Sequence, residues 1–276
     1  MYSKILKSGH IKLYKRENSK FWQMKIKLPK QKAIRSSSGT KILKEAEKIA
    51  LNNYSLMNKK NKIKIKKTLN NIFKKMHLVE TADLNKKEIE FILDEAQKFI
   101  SFNKMKIKKN NLLEGRTIFN LFFEDSTRTR TSFEVAAKRL GADLINVVVK
   151  DSSINKGETL LDTMTTINSM NPDVLIVRHP EEGISKKISE TVDASIINAG
   201  DGSHEHPTQA LLDALTIKNK FNNFSKLKIA ICGDILHSRV ARSNIIILSK
   251  LGSKINVVGP KEWLPKNLRK LPVRVF

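Results

Sequence analysis

The sequence predicts an α/β protein: a parallel sheet flanked by helices, then a second, shorter α/β part of the same kind, behind a small basic α+β segment. Three observations lead there. From about residue 76, apolar strand-like runs alternate with amphipathic helical runs, the pattern of parallel strands joined by helical crossovers. The 276 residues suffice for two ordinary domains. Finally, the charge is lopsided. Residues 1–75 hold 22 Lys+Arg and 3 Asp+Glu, a net of +19, whereas residues 76–276 hold 30 and 24, a net of +6, which together make the chain's +25. The basic excess therefore belongs to the front of the chain and not to the α/β part.

Four stretches follow in order. Residues 1–58 read as a basic module. Two strands surround the turn RENSK, with Trp22, Met24, Ile26 and Leu28 on one face and Gln23, Lys25 and Lys27 on the other. The polar run RSSSGT leads into a helical run over residues 41–57, with Thr40 as its cap. Residues 59–75, KKNKIKIKKTLNNIFKK, read as a low-complexity basic linker too charged to fold alone. Residues 76–205 and 206–276 make the two α/β parts. Their strand candidates are TIFNLFFE, LINVVVK, VLIVRHP, SIINAGD, LKIAICGD and KINVVGP, and their helix candidates are EIEFILDEAQKFI, TSFEVAAKRLG, TLLDTMTTINSM and ALLDALTIKNKF.

Several classes are disfavoured. The longest apolar runs fall short of the eighteen or so residues a membrane span needs. The first twenty residues lack the apolar core of a secretion signal. The single cysteine, Cys232, excludes an internal disulfide framework and fits a reducing, cytoplasmic setting. Its place in the run IAICGD reads as a buried structural thiol.

Five strings carry chemistry. In residues 122–134, FFEDSTRTRTSFE, a buried strand runs into Ser-Thr-Arg-Thr and a helix. Free backbone N–H groups there, beside hydroxyls and a guanidinium, suit a phosphate, although Ser and Thr are also common N-caps. Residues 206–213, HPTQALLD, place His206 at a strand-to-helix junction with Gln209 about one turn later. Residues 152–159, SSINKGET, form a polar glycine-containing loop. Residues 177–180, VRHP, put Arg178 at the carboxyl end of a strand, where open α/β sheets hold ligands. Residues 233–244, GDILHSRVARSN, read as a strand-to-helix loop in which His237 has a loop position and no catalytic one. Read singly, each string also fits an ordinary cap, turn or exposed arginine.

Taken together and in this order, the five strings resemble the aspartate and ornithine carbamoyltransferases. Within that family His-Pro-Thr-Gln marks the aspartate enzymes, so Thr208 favours aspartate. The resemblance implies a carbamoyl-phosphate domain followed by a Rossmann-like aspartate domain. It also implies transfer of a carbamoyl group to the α-amine of L-aspartate in pyrimidine (UMP) biosynthesis, without metal or cofactor. Ser126, Thr127, Arg128 and Thr129 would hold phosphate. Thr129, Arg178 and His206 would donate to the carbonyl oxygen as it gains charge, and Gln209 would orient the carbamoyl nitrogen. Arg239 and Lys156 would meet aspartate, with Ser152 and Lys156 arriving from a neighbouring subunit of a homotrimer. The family's later aspartate contacts and last helix are not recognisable before Phe276, and the ending LPKNLRKLPVRVF resembles none of them. An inactive, carbamoyl-phosphate-binding remnant is therefore a second reading. The front segment resembles the arm-type DNA-binding domain of phage-type tyrosine recombinases. That opens a third reading, nucleic-acid binding through residues 1–75, beside the plain one of a lysine-rich solvated segment.

Overall fold

A computed structural model describes residues 3–7, 9–17, 19–28, 32–72, 76–148, 159–266, 268 and 271–276, with backbone alone over 58–72 and at 148. The chain divides into two compact units, Met1–Lys74 and Lys75–Phe276.

The first unit is an antiparallel meander of β1 (Ser3–Leu6), β2 (Ile11–Tyr14), β3 (Gln23–Ile26) and β4 (Ile34–Ser37), followed by α1 (Leu43–Ile72). Alternation along β2 and β3 sends Ile11, Leu13, Trp22, Met24 and Ile26 to one face, where they bury with Ala46 and Ala50 of α1. Leu28 is buried as well, and Lys27 is exposed. Two of the four strands lack that signal. All of β4, IRSS, is exposed, and β1 has no fully buried residue. Thr40 is not the helix cap. Its hydroxyl accepts from Ile42 N (3.1 Å) and donates to Glu45 (2.5 Å), shaping the turn ahead of α1. The stretch expected to be a basic linker, 59–75, is helical as far as Ile72, where α1 ends. Residues 41–75 contain no Gly or Pro. Once its first turns are anchored by packing, extending a helix through good formers such as Lys and Leu costs little.

In the second unit, α2 (Lys86–Phe102) starts from a reciprocal Asn85–Glu88 capping box. A four-stranded parallel sheet of β5 (Thr117–Phe122), β6 (Asp143–Val148), β7 (Val174–His179) and β8 (Ser195–Asp201) has the order β6-β5-β7-β8. α3 (Thr127–Leu140), α4 (Leu160–Asn168) and α5 (Ile184–Ser189) connect its strands. Both faces are covered. Phe119, Leu121, Leu175, Val177 and Ile196 pack with Met164, Ile167, Ile184 and Ile188 of α4 and α5. Ile118, Phe122, Ile176 and Ala199 pack with Ala137 of α3 on the other side. Double coverage explains why these strands read as nearly continuous apolar runs.

A second parallel sheet holds β9 (Lys228–Cys232), β10 (Lys254–Val258) and β11 (Val273–Val275) in the order β11-β10-β9. α6 (Pro207–Phe221) packs on α2, β8 and α7 (Arg239–Lys250), joining the two sheets within one unit. The C-terminal ending supplies β11, which pairs in parallel with β10 from Val273 to Val275. Cys232 is exposed and not buried as its apolar run suggested. It ends the edge strand β9, whose alternate positions face outward.

Candidate active site

Three helices begin around one cavity of about 820 Å³, and the carboxyl end of β7 opens into it. α3 supplies Ser126, Arg128 and Thr129, α6 supplies His206, Thr208 and Gln209, and α7 supplies Arg239, while Arg178 comes from β7. Each of these helices follows the carboxyl end of a parallel strand, which is why residues from four distant parts of the sequence meet here. Helix N-termini present N–H groups without intrahelical partners and the positive end of the helix dipole. The Ser126 hydroxyl makes no capping bond across the first turn of α3. Together with Arg128, Arg178 and Arg239, this arrangement suits a small molecule with several negative charges.

Arg178 and Arg239 are held by one carboxylate. Glu124 Oε1 accepts from Arg178 Nη2 (2.6 Å) and from Arg239 Nη2 (2.8 Å). Arg178 Nη1 also donates to Ala199 O (3.1 Å), and Arg239 Nη1 to Gly202 O (2.9 Å). Gly200 lies beneath both guanidinium groups. A Cβ there would stand 3.1 Å from Arg178 Nη1 and 3.3 Å from Arg239 Nε. Arg178 Nε is buried with no protein partner among the described residues, a donor left for a ligand. Burial, then the neighbouring Arg239, pulls Arg178 below the usual guanidinium range, and Glu124 opposes that.

His206 sits at the N-cap of α6 with only 6% of its surface exposed. Burial is the main cause that lowers its pKa to about 4, with Arg178 and Arg239 adding to the effect and Asp201 opposing it. The ring is therefore neutral near pH 7. Its Nδ1 lies 3.4 Å from the Thr208 hydroxyl. With that hydroxyl as the donor, Nε2 carries the ring proton and becomes a neutral hydrogen-bond donor. Gln209 Nε2 donates to Asp213 Oδ1 (2.9 Å), which leaves its carbonyl oxygen to accept from an amide-like NH₂.

A buried scaffold fixes the loop that presents His206. Asp201 accepts from Asn198 Nδ2 (2.9 Å), Gly183 N (2.9 Å) and Glu205 N (3.1 Å). Thr81 Oγ1 donates to the Glu205 carboxylate (2.8 Å), as does the Ser243 hydroxyl, and Ser243 Oγ accepts from His206 N (2.9 Å). Burial raises Glu205 above the usual carboxylate range against these donors.

Of the residues singled out from sequence, Ser126, Arg128, Thr129, Arg178, His206, Gln209 and Arg239 line the one cavity. Thr127 is exposed and outside the lining, although its N–H belongs to the same first turn of α3. Ser152 and Lys156 lie outside the described residues. His237 is in a loop as expected, exposed, with Nδ1 2.9 Å from Asp234. Glu124, Thr81, Glu205 and Ser243 were given no role from sequence. Glu124 stood inside a quoted motif, but nothing local reveals that it binds arginines 54 and 115 positions later.

A family model described as the carbamoyl-P binding domain of aspartate/ornithine carbamoyltransferase matches residues 76–219. The aspartate carbamoyltransferase catalytic subunit of Granulibacter bethesdensis is 54% identical over 204 residues, 74% of this chain and 65% of that protein. Its counterpart from Pelagibacter ubique is 51% identical over 200 residues, 72% of this chain and 64% of that protein. The chain thus spans slightly less than two thirds of the length of these curated relatives. Among solved structures, Trypanosoma cruzi aspartate transcarbamoylase in complex with carbamoyl phosphate and aspartate aligns with a TM-score of 0.65 at 33% identity, over 72% of this chain and 66% of that one. The catalytic subunit of M. jannaschii aspartate transcarbamoylase aligns with a TM-score of 0.65 at 41% identity, over 73% of this chain and 67% of that one. With every cavity-lining residue but Arg239 and Val240 inside the stretch that family model matches, the chain belongs to the aspartate/ornithine carbamoyltransferase family.

Proposed function

We propose that this chain transfers the carbamoyl group of carbamoyl phosphate to L-aspartate, in a homotrimer, in the cytoplasm, as a step of pyrimidine biosynthesis. The observation that carries the reading is the buried Arg178 Nε, without a partner among the described residues, beside neutral His206 and the uncapped first turn of α3 in one cavity. The α-amine lone pair of aspartate attacks the carbonyl carbon, the bond to the phosphate oxygen breaks, and the leaving phosphate takes the amine proton. Ser126, Thr127, Arg128 and Thr129 hold the phosphate. Thr129, Arg178 and His206 donate to the carbonyl oxygen as it becomes anionic, each such preorganised donor being worth about 3–4 kcal/mol. Gln209 accepts from the carbamoyl NH₂. Arg239 takes a substrate carboxylate, and Lys156 and Ser152 of a neighbouring subunit complete the site.

The test is carbamoyl-aspartate formation by the purified chain, together with its mass by light scattering. Mixing a Lys156→Ala chain with an Arg128→Ala chain should restore part of the activity, because some hybrid sites then carry neither change. Hybrids with no regained activity would count against shared sites. A second reading is favoured by Arg239, whose guanidinium is already held by Glu124 and Gly202 O. There the chain binds carbamoyl phosphate without turnover. Saturable carbamoyl-phosphate binding with no product would establish that reading over the first.

A further inference from the structure

A side-chain amide has a donor end and an acceptor end of nearly the same shape, so what Gln209 offers a ligand depends on which way it is turned. Two residues outside the cavity lining decide that. Asp213, four residues on along α6, accepts from Gln209 Nε2 (2.9 Å) through Oδ1 and from Asn244 Nδ2 of α7 (2.7 Å) through Oδ2. A carboxylate only accepts, so it holds the NH₂ end of Gln209 and turns Oε1 towards the cavity. In an isolated helix a Gln–Asp pair four residues apart is weak. Here Asn244 ties the carboxylate to a second helix, and its own Oδ1 is buried with no partner among the described residues. None of the cavity's other polar side chains is a fixed acceptor. Arg128, Arg178 and Arg239 only donate, His206 presents its Nε2 proton, and the hydroxyls can rotate to donate or accept.

We infer that Asp213 is a positioning residue that makes the cavity select an acyl phosphate with NH₂ on its acyl carbon. Carbamoyl phosphate is then preferred over acetyl phosphate, which has CH₃ in the same place. The inference rests on the carbamoyl-transfer reading above and assigns the group behind its choice of substrate. With acetyl phosphate the held Gln209 Oε1 has no donor to meet, and an acceptor left unpaired away from water costs binding. Without Asp213 the amide can turn or swing aside, so neither the gain with NH₂ nor the penalty with CH₃ survives. The same carboxylate links this choice to the second sheet. Asn244 lies on the helix that starts with Arg239, so α7 must be docked before the amide is fixed.

The experiment titrates the full chain calorimetrically with carbamoyl phosphate, acetyl phosphate and inorganic phosphate. The parent should prefer carbamoyl over acetyl phosphate by about 10- to 100-fold, the range for an acceptor left without its donor. Asp213→Leu should bring that ratio close to one, while the affinity for inorganic phosphate, which has no acyl group, stays as in the parent. Asp213→Asn keeps an oxygen for Gln209, because Asn244 can turn its Oδ1 to the new NH₂ group, and should retain the preference. Asp213→Asn/Asn244→Leu removes that option and should lose the preference, a result that stands even where Asp213→Leu does not fold. An unchanged ratio in Asp213→Leu or in the double variant, or equal weakening of all three ligands, would overturn the inference and leave the carbamoyl-transfer reading standing. A parent that shows no preference between the two acyl phosphates would overturn both.

Discussion

Acid should expose the cost of burying His206. Its pKa is about 4 in the folded chain, against roughly 6.5 when unfolded. Between those values the unfolded state takes up a proton that the folded state refuses. Stability therefore rises with pH across that window, and this contribution is fully present above about pH 6.5 and lost as pH falls towards 4. A difference of about 2.5 pK units corresponds to roughly 3.4 kcal/mol over the whole window, of which about 2 kcal/mol is lost by pH 5. The perturbation is His206→Gln, which cannot titrate and so removes this dependence while other groups keep theirs. Urea unfolding followed by Trp263 fluorescence, in a Trp22→Phe background, reports on the second unit. The parent should lose about 2 kcal/mol more than the Gln variant between about pH 7.5 and pH 5. Equal losses in the two proteins would refute the neutral, desolvated histidine.

Three further outcomes follow from the same geometry. Arg128→Ala should weaken carbamoyl-phosphate binding by about 10- to 100-fold, the range for a lost charged hydrogen bond, with an unchanged unfolding midpoint because Arg128 is exposed; isothermal titration and a urea melt check both halves. Gly200→Ala should cost about 1–3 kcal/mol, since φ is +116° there, and should also abolish carbamoyl-phosphate binding by pressing on Arg178 and Arg239; a stable variant with normal affinity would refute the close packing. Ser243→Ala should destabilise the second unit by about 2–4 kcal/mol, because it leaves both the Glu205 carboxylate and His206 N short of a buried partner, as read from urea unfolding.

The α/β part was legible in sequence because its strands are doubly covered, and double coverage demands runs such as TIFNLF and VLIVRH. The cavity-lining residues were legible because helix starts impose local chemistry, such as Ser126 ahead of Thr127 or His206 ahead of Pro207. Short edge strands were not. β4 is four exposed residues and β11 three residues, two of them exposed, and neither leaves a periodic trace. The helical conformation within the basic stretch 59–75 was not legible because high charge density and helix propensity coexist in lysine runs, and propensity governs once a helix is already anchored. Glu124 and Glu205 were missed for another reason. Their roles arise from partners brought together by the fold, and spacing along the chain carries no sign of them.

The partners of Glu205 also set the order in which the site can be assembled. Thr81 precedes it by 124 residues and Ser243 follows it by 38. As the chain leaves a ribosome, the His206 loop is synthesised well before α7 supplies the Ser243 hydroxyl. Until then Thr81 and Asp201 alone hold the loop, while the Glu205 carboxylate lacks one hydroxyl donor and His206 N its acceptor, so the loop should order fully only after α7 docks. Contacts of such long range are closed late and at an entropic cost. Partly made chains would thus carry a folded β5–β8 sheet with an unformed pocket, a nascent state that cannot capture substrate before the second sheet has begun to fold.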